Sequence, residues 1–291
     1  MKRLVKWLLR QALYARLALL PLSESSALYW VEVMKRWTAI FAVHPYLRQI
    51  SLPGGQRMTV GLIDVVERNL LLHGEWDFPV LEALKAELAP GHTFVDIGAN
   101  IGYFTLVASK LVGPSGKVLA LEPSHVNLSR LGRHVWDNEA ANVLIASVAA
   151  GKDYALASLN FPTFNNAGAA TLRPCSTIKS STVLQVPLDD LIEAHSLKPH
   201  LIKLDIEGFE LEALRGLGRT LARFGPVVVC ELTDSFLREI GQDARQLLAH
   251  MEGFGYNCTV LAANGAGAVL TSDGAYMPDG QVDVVFRRAG H

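Results

Sequence analysis

Residues 94–105 read FVDIGANIGYFT, and a carboxylate, Glu122, follows twenty residues past Gly102 within the run KVLALEP. No other feature of the chain restricts its fold as much. A β-prone stretch at residues 93–95 ends in Asp96, Gly98 and Gly102 bracket a tight turn, and residues 103–111 carry apolar side chains at helical spacing. Strand, glycine turn and helix in this order open a nucleotide-binding βαβ unit. Its glycines let the backbone approach a ligand, and an acid about 20 residues further on holds ribose hydroxyls. A chain built on such a unit is committed to an α/β architecture.

The turn also selects the ligand. A dinucleotide site uses G-x-G-x-x-G, whose middle glycine makes room for a pyrophosphate. Here the spacing is Gly98-Ala99-Asn100-Ile101-Gly102, so that glycine is absent and Asn100 offers an amide. Asp96 would repel a diphosphate and suits an ammonium group. A ligand with an amino-acid end, a cationic centre and a ribose satisfies both acids: S-adenosylmethionine. The assigned cofactor-binding residues are Asp96, Gly98, Asn100, Gly102 and Glu122. Two rival readings are an NAD(P) oxidoreductase, disfavoured by Asp96 and Asn100, and a catalytically silent cofactor-binding or scaffold protein.

The chain around this unit alternates. Strands are predicted at residues 93–96, 118–122, 143–147, 201–205, 226–232, 258–262 and 282–287, with helices at 80–88, 103–111, 126–138, 209–224 and 244–253. Strands alternating with helices imply a mostly parallel sheet with helices on both faces. Residues 151–187 interrupt the pattern with ASLNF, NNAGAATL and VLQVPL, which read as extra strands and a binding loop. Asn165, Asn166 and Thr171 are its candidate substrate contacts.

Ahead of the sheet, residues 46–62 read as a β-hairpin around Pro53-Gly54-Gly55 and residues 1–40 as helical. Lys2, Arg3, Lys6, Arg10 and Arg16 fall on one side of the first twenty residues, with Leu4, Trp7, Leu8 and Ala12 opposite. These charges interrupt any transmembrane span or signal-peptide core. The resulting basic amphipathic helix suits either peripheral contact with an anionic membrane or packing on its own domain. We divide the chain into a helical and hairpin extension, 1–75, and a catalytic domain, 76–291. A net charge of −1 gives no footprint for nucleic acid. Cys175, Cys230 and Cys258 form no C-x-x-C pair, so a reducing, cytoplasmic location is the expectation.

A second motif, IKLDIEGFE at residues 202–210, puts three carboxylates and a lysine across a strand-to-helix junction. Asp205 ends the strand expected beside residues 93–96 and should point at the cofactor. Together, VDIGANIGYFT, the LEP after the second strand, and IKLDIEGFE followed by LRG resemble the FkbM-family methyltransferases, over roughly residues 74–231. The resemblance implies a class I methyltransferase fold, Rossmann-like with seven strands, that uses S-adenosylmethionine. It also implies methylation of hydroxyls on sugars, glycans or polyketide-type natural products. GEWD at residues 74–77 departs from the family, which commonly has Glu in place of Asp77. Asp205 is the first candidate for the base that takes the hydroxyl proton and Glu207 the second. No metal is assigned: Lys203 shares the face of Asp205, and Glu231 is expected to face away. His125, past the second strand, reads as solvated.

Overall fold

The computed structural model describes residues 47–62, 64–162, 167–177, 179–262, 267–274, 278 and 280–288. The helix predicted over residues 1–40 lies outside them. The chain divides into two compact units between Trp76 and Asp77. In the first, β1 (Leu47–Ser51) and β2 (Arg57–Gly61) pair antiparallel as the expected hairpin. Helix α1 (Val65–His73) follows, which the sequence reading passed over. Its signals were present: Asp64 accepts a hydrogen bond from the Glu67 amide at 3.2 Å, and Gly74 ends the helix in the left-handed conformation.

The second unit opens with α2 (Phe78–Glu87), with Pro79 in its first turn. The order is then β3 (Thr93–Ile97), α3 (Tyr103–Val112), β4 (Lys117–Leu121), α4 (His125–Asp137) and β5 (Val143–Ala146). The insertion supplies β6 (Ala149–Gly151), β7 (Ala155–Phe161), β8 (Lys179–Pro187) and α5 (Leu188–Ala194). The chain returns through β9 (Leu201–Leu204), α6 (Glu210–Arg215), α7 (Gly218–Phe224) and β10 (Val227–Thr233). It ends with α8 (Asp234–Arg238), α9 (Ala244–Glu252), β11 (Tyr256–Val260), β12 (Val269–Leu270) and β13 (Gln281–Arg288).

The main sheet runs β12-β11-β13-β10-β9-β3-β4-β5. Strands β5, β4, β3, β9 and β10 are mutually parallel, and β13 is antiparallel to both its neighbours. This is the Rossmann-like class I methyltransferase arrangement, with the two-residue β12 added at one edge. From β3 the chain steps outward through β4 and β5, then returns to lay β9 on the other side of β3. That reversal opens a crevice beyond the carboxyl ends of β3 and β9, where open α/β sheets bind ligands. On one face Val95, Ile97, Ile202, Leu204, Val228 and Cys230 bury against Leu211, Leu214, Leu247 and Met251. Each large aliphatic side chain buried there contributes roughly 1.5–3 kcal/mol.

The insertion folds as its own sheet, β6-β8-β7, with β6 parallel and β7 antiparallel to β8. It also breaks the single helix predicted over residues 209–224 into α6 and α7. A Cβ on Gly216 would lie 2.1 Å from the Gly151 carbonyl oxygen of β6, so the helix gives way where the insertion presses on it. Asp189 of α5, 6% exposed, restarts it: its carboxylate accepts the Arg219 and Thr220 amides, each at 2.8 Å. Among the described residues no helix is long and apolar enough to cross a membrane.

Asp189→Ala removes both amide acceptors and lowers unfolding free energy by about 1–2 kcal/mol. Asp190→Ala, which breaks an exposed pair with Arg219 and an exposed hydrogen bond from the Tyr154 hydroxyl, costs less. Denaturant unfolding of the two variants reads the difference.

Candidate functional site

Asp96 is the penultimate residue of β3, at 1% exposure. One of its oxygens accepts the Thr105 hydroxyl of α3 at 2.6 Å, and the other, Oδ1, has no hydrogen-bond partner. Burial pushes the carboxyl above its usual range, against the opposing pull of Lys203 and Thr105. Glu122 follows β4 at 4% exposure and accepts the Asn100 amide and the Ser124 amide, each at 2.8 Å. Burial raises it to about 7. Between the two acids the backbone takes the left-handed conformation at Gly98, Asn100 and Gly102, with φ of 79°, 50° and 93°. The contact the structure shows from Asn100 is therefore its backbone N–H to Glu122, where its side-chain amide was expected to serve. Ser124, fully buried, keeps an unpartnered hydroxyl beside Glu122.

A row of charges crosses the same face of the sheet. Asp96 pairs in register with Lys203, Lys203 with Val229, and Glu231 with Asp283. Because side chains two apart share a face, Asp96, Lys203, Glu231 and Asp283 line up across β3, β9, β10 and β13. Asp205, just past β9, joins them. The Lys203 ammonium lies 3.1 Å from Asp205 Oδ2 and 4.0 Å from Asp96 Oδ1. Burial alone would lower its pKa, but Asp205 and Asp96 raise it above the ordinary lysine value. Burial alone would likewise raise Asp205; the Lys203 charge and hydrogen bonds from Glu231 and Lys203 hold it below the usual range. Burial and the Asp205 charge push Glu231 up to about 11, so it stays protonated and hydrogen-bonds to Asp205. The expectation that Glu231 faces away is thereby corrected: it is 4% exposed and lies on the face of Asp205.

The turn after β9 completes the site. Glu207 has φ of 60°, a conformation that costs a side-chain-bearing residue on the order of 1–3 kcal/mol. Its half-buried carboxyl is raised to about 7, first by burial and then by the charges of Asp205 and Glu210. Glu210, 1% exposed, turns back to accept the Ile206 amide at 3.2 Å and the Gly208 amide at 3.0 Å, so it holds the turn. Oxygens of Asp205, Glu207 and Glu231 lie within 4.8 Å of one another. Asp77 also has positive φ, 48°, and accepts the Val80 amide at 3.4 Å. Asp283 is raised to about 7 by burial and by the charges of Asp77 and Asp205.

The seven residues assigned from the sequence, Asp96, Gly98, Asn100, Gly102, Glu122, Asp205 and Glu207, lie at or just past the carboxyl ends of β3, β4 and β9. Thr171 does not present itself to a substrate. It is 1% exposed and its hydroxyl donates to the Glu207 carbonyl at 2.8 Å. Asn165 and Asn166 lie outside the described residues, and His125 is exposed at the start of α4. Sequence reasoning missed Thr105, Ser124, Asp283 and Arg173. Of these only Thr105 carried a signal, one helical turn into the motif that supplies Asp96.

The profile of the methyltransferase FkbM domain matches residues 96–258, more than half of the chain. The chain belongs to that family. It is 28% identical over 174 residues to hexuronic acid methyltransferase AglP of Haloferax volcanii, covering 60% of this chain and 69% of that protein. It is also similar to the crystal structure of methyltransferase FkbM from Methylobacillus flagellatus, at 20% identity and a TM-score of 0.43. That alignment covers 75% of this chain, which spans about half (52%) of that longer chain. A third similarity is to the TYW2 protein of M. jannaschii in complex with AdoMet, at 15% identity and a TM-score of 0.42, covering 84% of this chain and 88% of that one.

Gly98 proves tighter than its motif implies. The sequence suggests that Gly98→Val would block a ligand and leave the fold intact. In the structure a Cβ there would lie 1.9 Å from the Asp205 carbonyl oxygen, at φ of 79°. Even Gly98→Ala therefore destabilises the protein by on the order of 3 kcal/mol, and thermal unfolding detects it without any ligand. Gly55→Ala, where a Cβ meets nothing within 4 Å, shows the smaller cost of positive φ alone.

Proposed function

We propose that this FkbM-family protein transfers the methyl group of S-adenosylmethionine to a hydroxyl of a sugar, glycan or related natural product, with Glu207 taking the hydroxyl proton. The observation that carries the cofactor is Asp96 Oδ1, an acceptor oxygen without a hydrogen-bond partner on a side chain 1% exposed. An ammonium is the group that would satisfy it. Glu122, one strand over, fits ribose hydroxyls, and Gly98, Asn100 and Gly102 turn the backbone between the two acids through positive φ. When bound, S-adenosylmethionine supplies a methyl already activated by a sulfonium. The chain's own work is to align the acceptor, exclude water and accept one proton.

Asp205 was the first candidate for that proton and Glu207 the second; the electrostatics of the site favour the reverse. Asp205 is held ionised by Lys203 and hydrogen-bonded by Glu231, which lowers its basicity. Glu207, raised to about 7, sits near the value at which a general base works best at neutral pH. Asp205 contributes the negative charge that raises it. Lys203 places a cation against Asp205, so the reading requires no metal. The hexuronic acid named for the archaeal relative supports a sugar-derived acceptor.

Calorimetry with S-adenosylmethionine and with NAD tests the cofactor. Binding a cation next to Asp96 and hydroxyl donors at Glu122 favours the ionised carboxylates. Glu122, at about 7, is mostly protonated below that value. Affinity should then rise about tenfold between about pH 6 and about pH 8, with proton release on binding. Affinity for NAD exceeding that for S-adenosylmethionine sinks the assignment. In a methyl-transfer assay over a panel of sugar acceptors, Glu207→Gln should lower kcat by about 100-fold or more while cofactor affinity holds. The wild-type rate should climb to a plateau above the Glu207 pKa of about 7, because only the ionised base accepts a proton, and should survive EDTA. Full activity in Glu207→Gln rejects it as the base.

A further inference from the structure

Glu207 occupies a left-handed conformation that its own sequence does not favour, and two side chains of the inserted segment hold it there. The Thr171 hydroxyl donates to the Glu207 carbonyl at 2.8 Å, and Arg173 Nε donates to the same oxygen at 3.2 Å. Both donors are themselves fixed. Thr171 exchanges two backbone hydrogen bonds with Asn160 of β7, at 2.8 and 3.0 Å, and the Asn160 side chain donates to the Arg173 carbonyl at 3.0 Å. The Arg173 guanidinium lies 3.9 Å from the centroid of the Phe236 ring and pairs with Glu239. Gly208, the next residue of the turn, has φ of 100°, and a Cβ there would meet Phe236 at 2.7 Å and Arg173 at 3.1 Å. The turn is thus closed on one side by β9, from below by Glu210, and on the other side by the insertion.

We propose that Thr171 and Arg173 are positioning residues for Glu207: the insertion clamps the carbonyl of that residue so that its carboxyl is held, half-buried, in the crevice. The proposal rests on Glu207 as the base. Without the clamp the backbone at Glu207 relaxes out of positive φ, the carboxyl swings into water, and burial no longer raises it. The insertion then belongs to the catalytic apparatus, even though neither residue touches the reacting atoms. Arg173 adds a second effect. Its charge opposes the rise that burial, Asp205 and Glu210 impose on Glu207, and so sets the base nearer neutrality.

The test is a carboxyl NMR titration of the full chain with carbon-13-labelled glutamate, the Glu207 signal assigned by its loss in Glu207→Gln. Thr171→Val and Arg173→Lys each remove one donor to the carbonyl, and the second keeps the charge. Each should lower the Glu207 midpoint by about one pH unit or more as the carboxyl becomes solvated. Thr171→Ser, which keeps the hydroxyl, should titrate as wild type, and S-adenosylmethionine affinity should be unchanged in all three. A role confined to stability would lower the melting temperature and leave the midpoint in place. Unchanged midpoints in Thr171→Val and Arg173→Lys, against a raised wild-type midpoint, overturn the proposal alone. A wild-type midpoint in the ordinary carboxylate range removes Glu207 as the base and the proposal with it, while calorimetry reports separately on the cofactor.

Discussion

Lys203 places an ammonium, its side chain 5% exposed, between Asp205 and Asp96 at the ends of two adjacent strands, and the chemistry of the crevice depends on that charge. Burying a lone ammonium or carboxylate is strongly unfavourable, and pairing offsets the loss only where geometry and hydrogen bonds are good. The parallel register of β3 and β9 supplies that geometry by setting Asp96 opposite Lys203. With Asp205 ionised beside the lysine, the remaining acids cannot all ionise as well. Burial first, and then the charge of Asp205, leave Glu231 holding its proton and raise Glu207 and Asp283 to about 7. Burial and one cation together thus separate a row of similar carboxylates into different protonation states.

The backbone is unusual at the site too, as it is at Glu139 and Ser196 outside it. Positive φ at residues other than glycine includes Asp77, Asn100 and Glu207, and these three carry or border the acids of the crevice. Such conformations persist only where surrounding structure over-determines them. Asn100 is held through its amide by Glu122, Asp77 by capping α2, and Glu207 by the insertion. The apolar layer on the opposite face of the sheet supplies the rigid support on which these local costs rest.

Much of the fold was legible because alternation of strand and helix is a local signal. The strands read at residues 93–96, 118–122 and 201–205 appear within a residue or two as β3, β4 and β9. The glycine turn was legible for the same reason, since Gly98 and Gly102 have few other uses at that spacing. The break between α6 and α7 was not. Residues 209–224 carry helical periodicity throughout, and what divides them is the Gly151 carbonyl and the Asp189 carboxylate, both distant in sequence. Thr171 misled in the same way: a threonine in an irregular stretch looks like a ligand contact until its partner, a backbone carbonyl 36 residues away, is in view.

The sequence by itself determined that the chain carries a βαβ unit opened by a strand, a glycine turn and a helix, that Asp96 and Glu122 flank its turn, and that Asp205 and Glu207 stand at a second strand end. Each of these follows from spacing along one or two elements, where strand alternation and turn chemistry act locally. Only the tertiary structure decided how those carboxylates differ. Their protonation is set by burial and by neighbours on other strands, above all Lys203 and Glu231, and the direction of the Glu231 side chain follows from pairing rather than from its own residues. The conformation of Glu207 is likewise imposed from outside, by hydrogen bonds from a segment that joins the site only when the chain has folded.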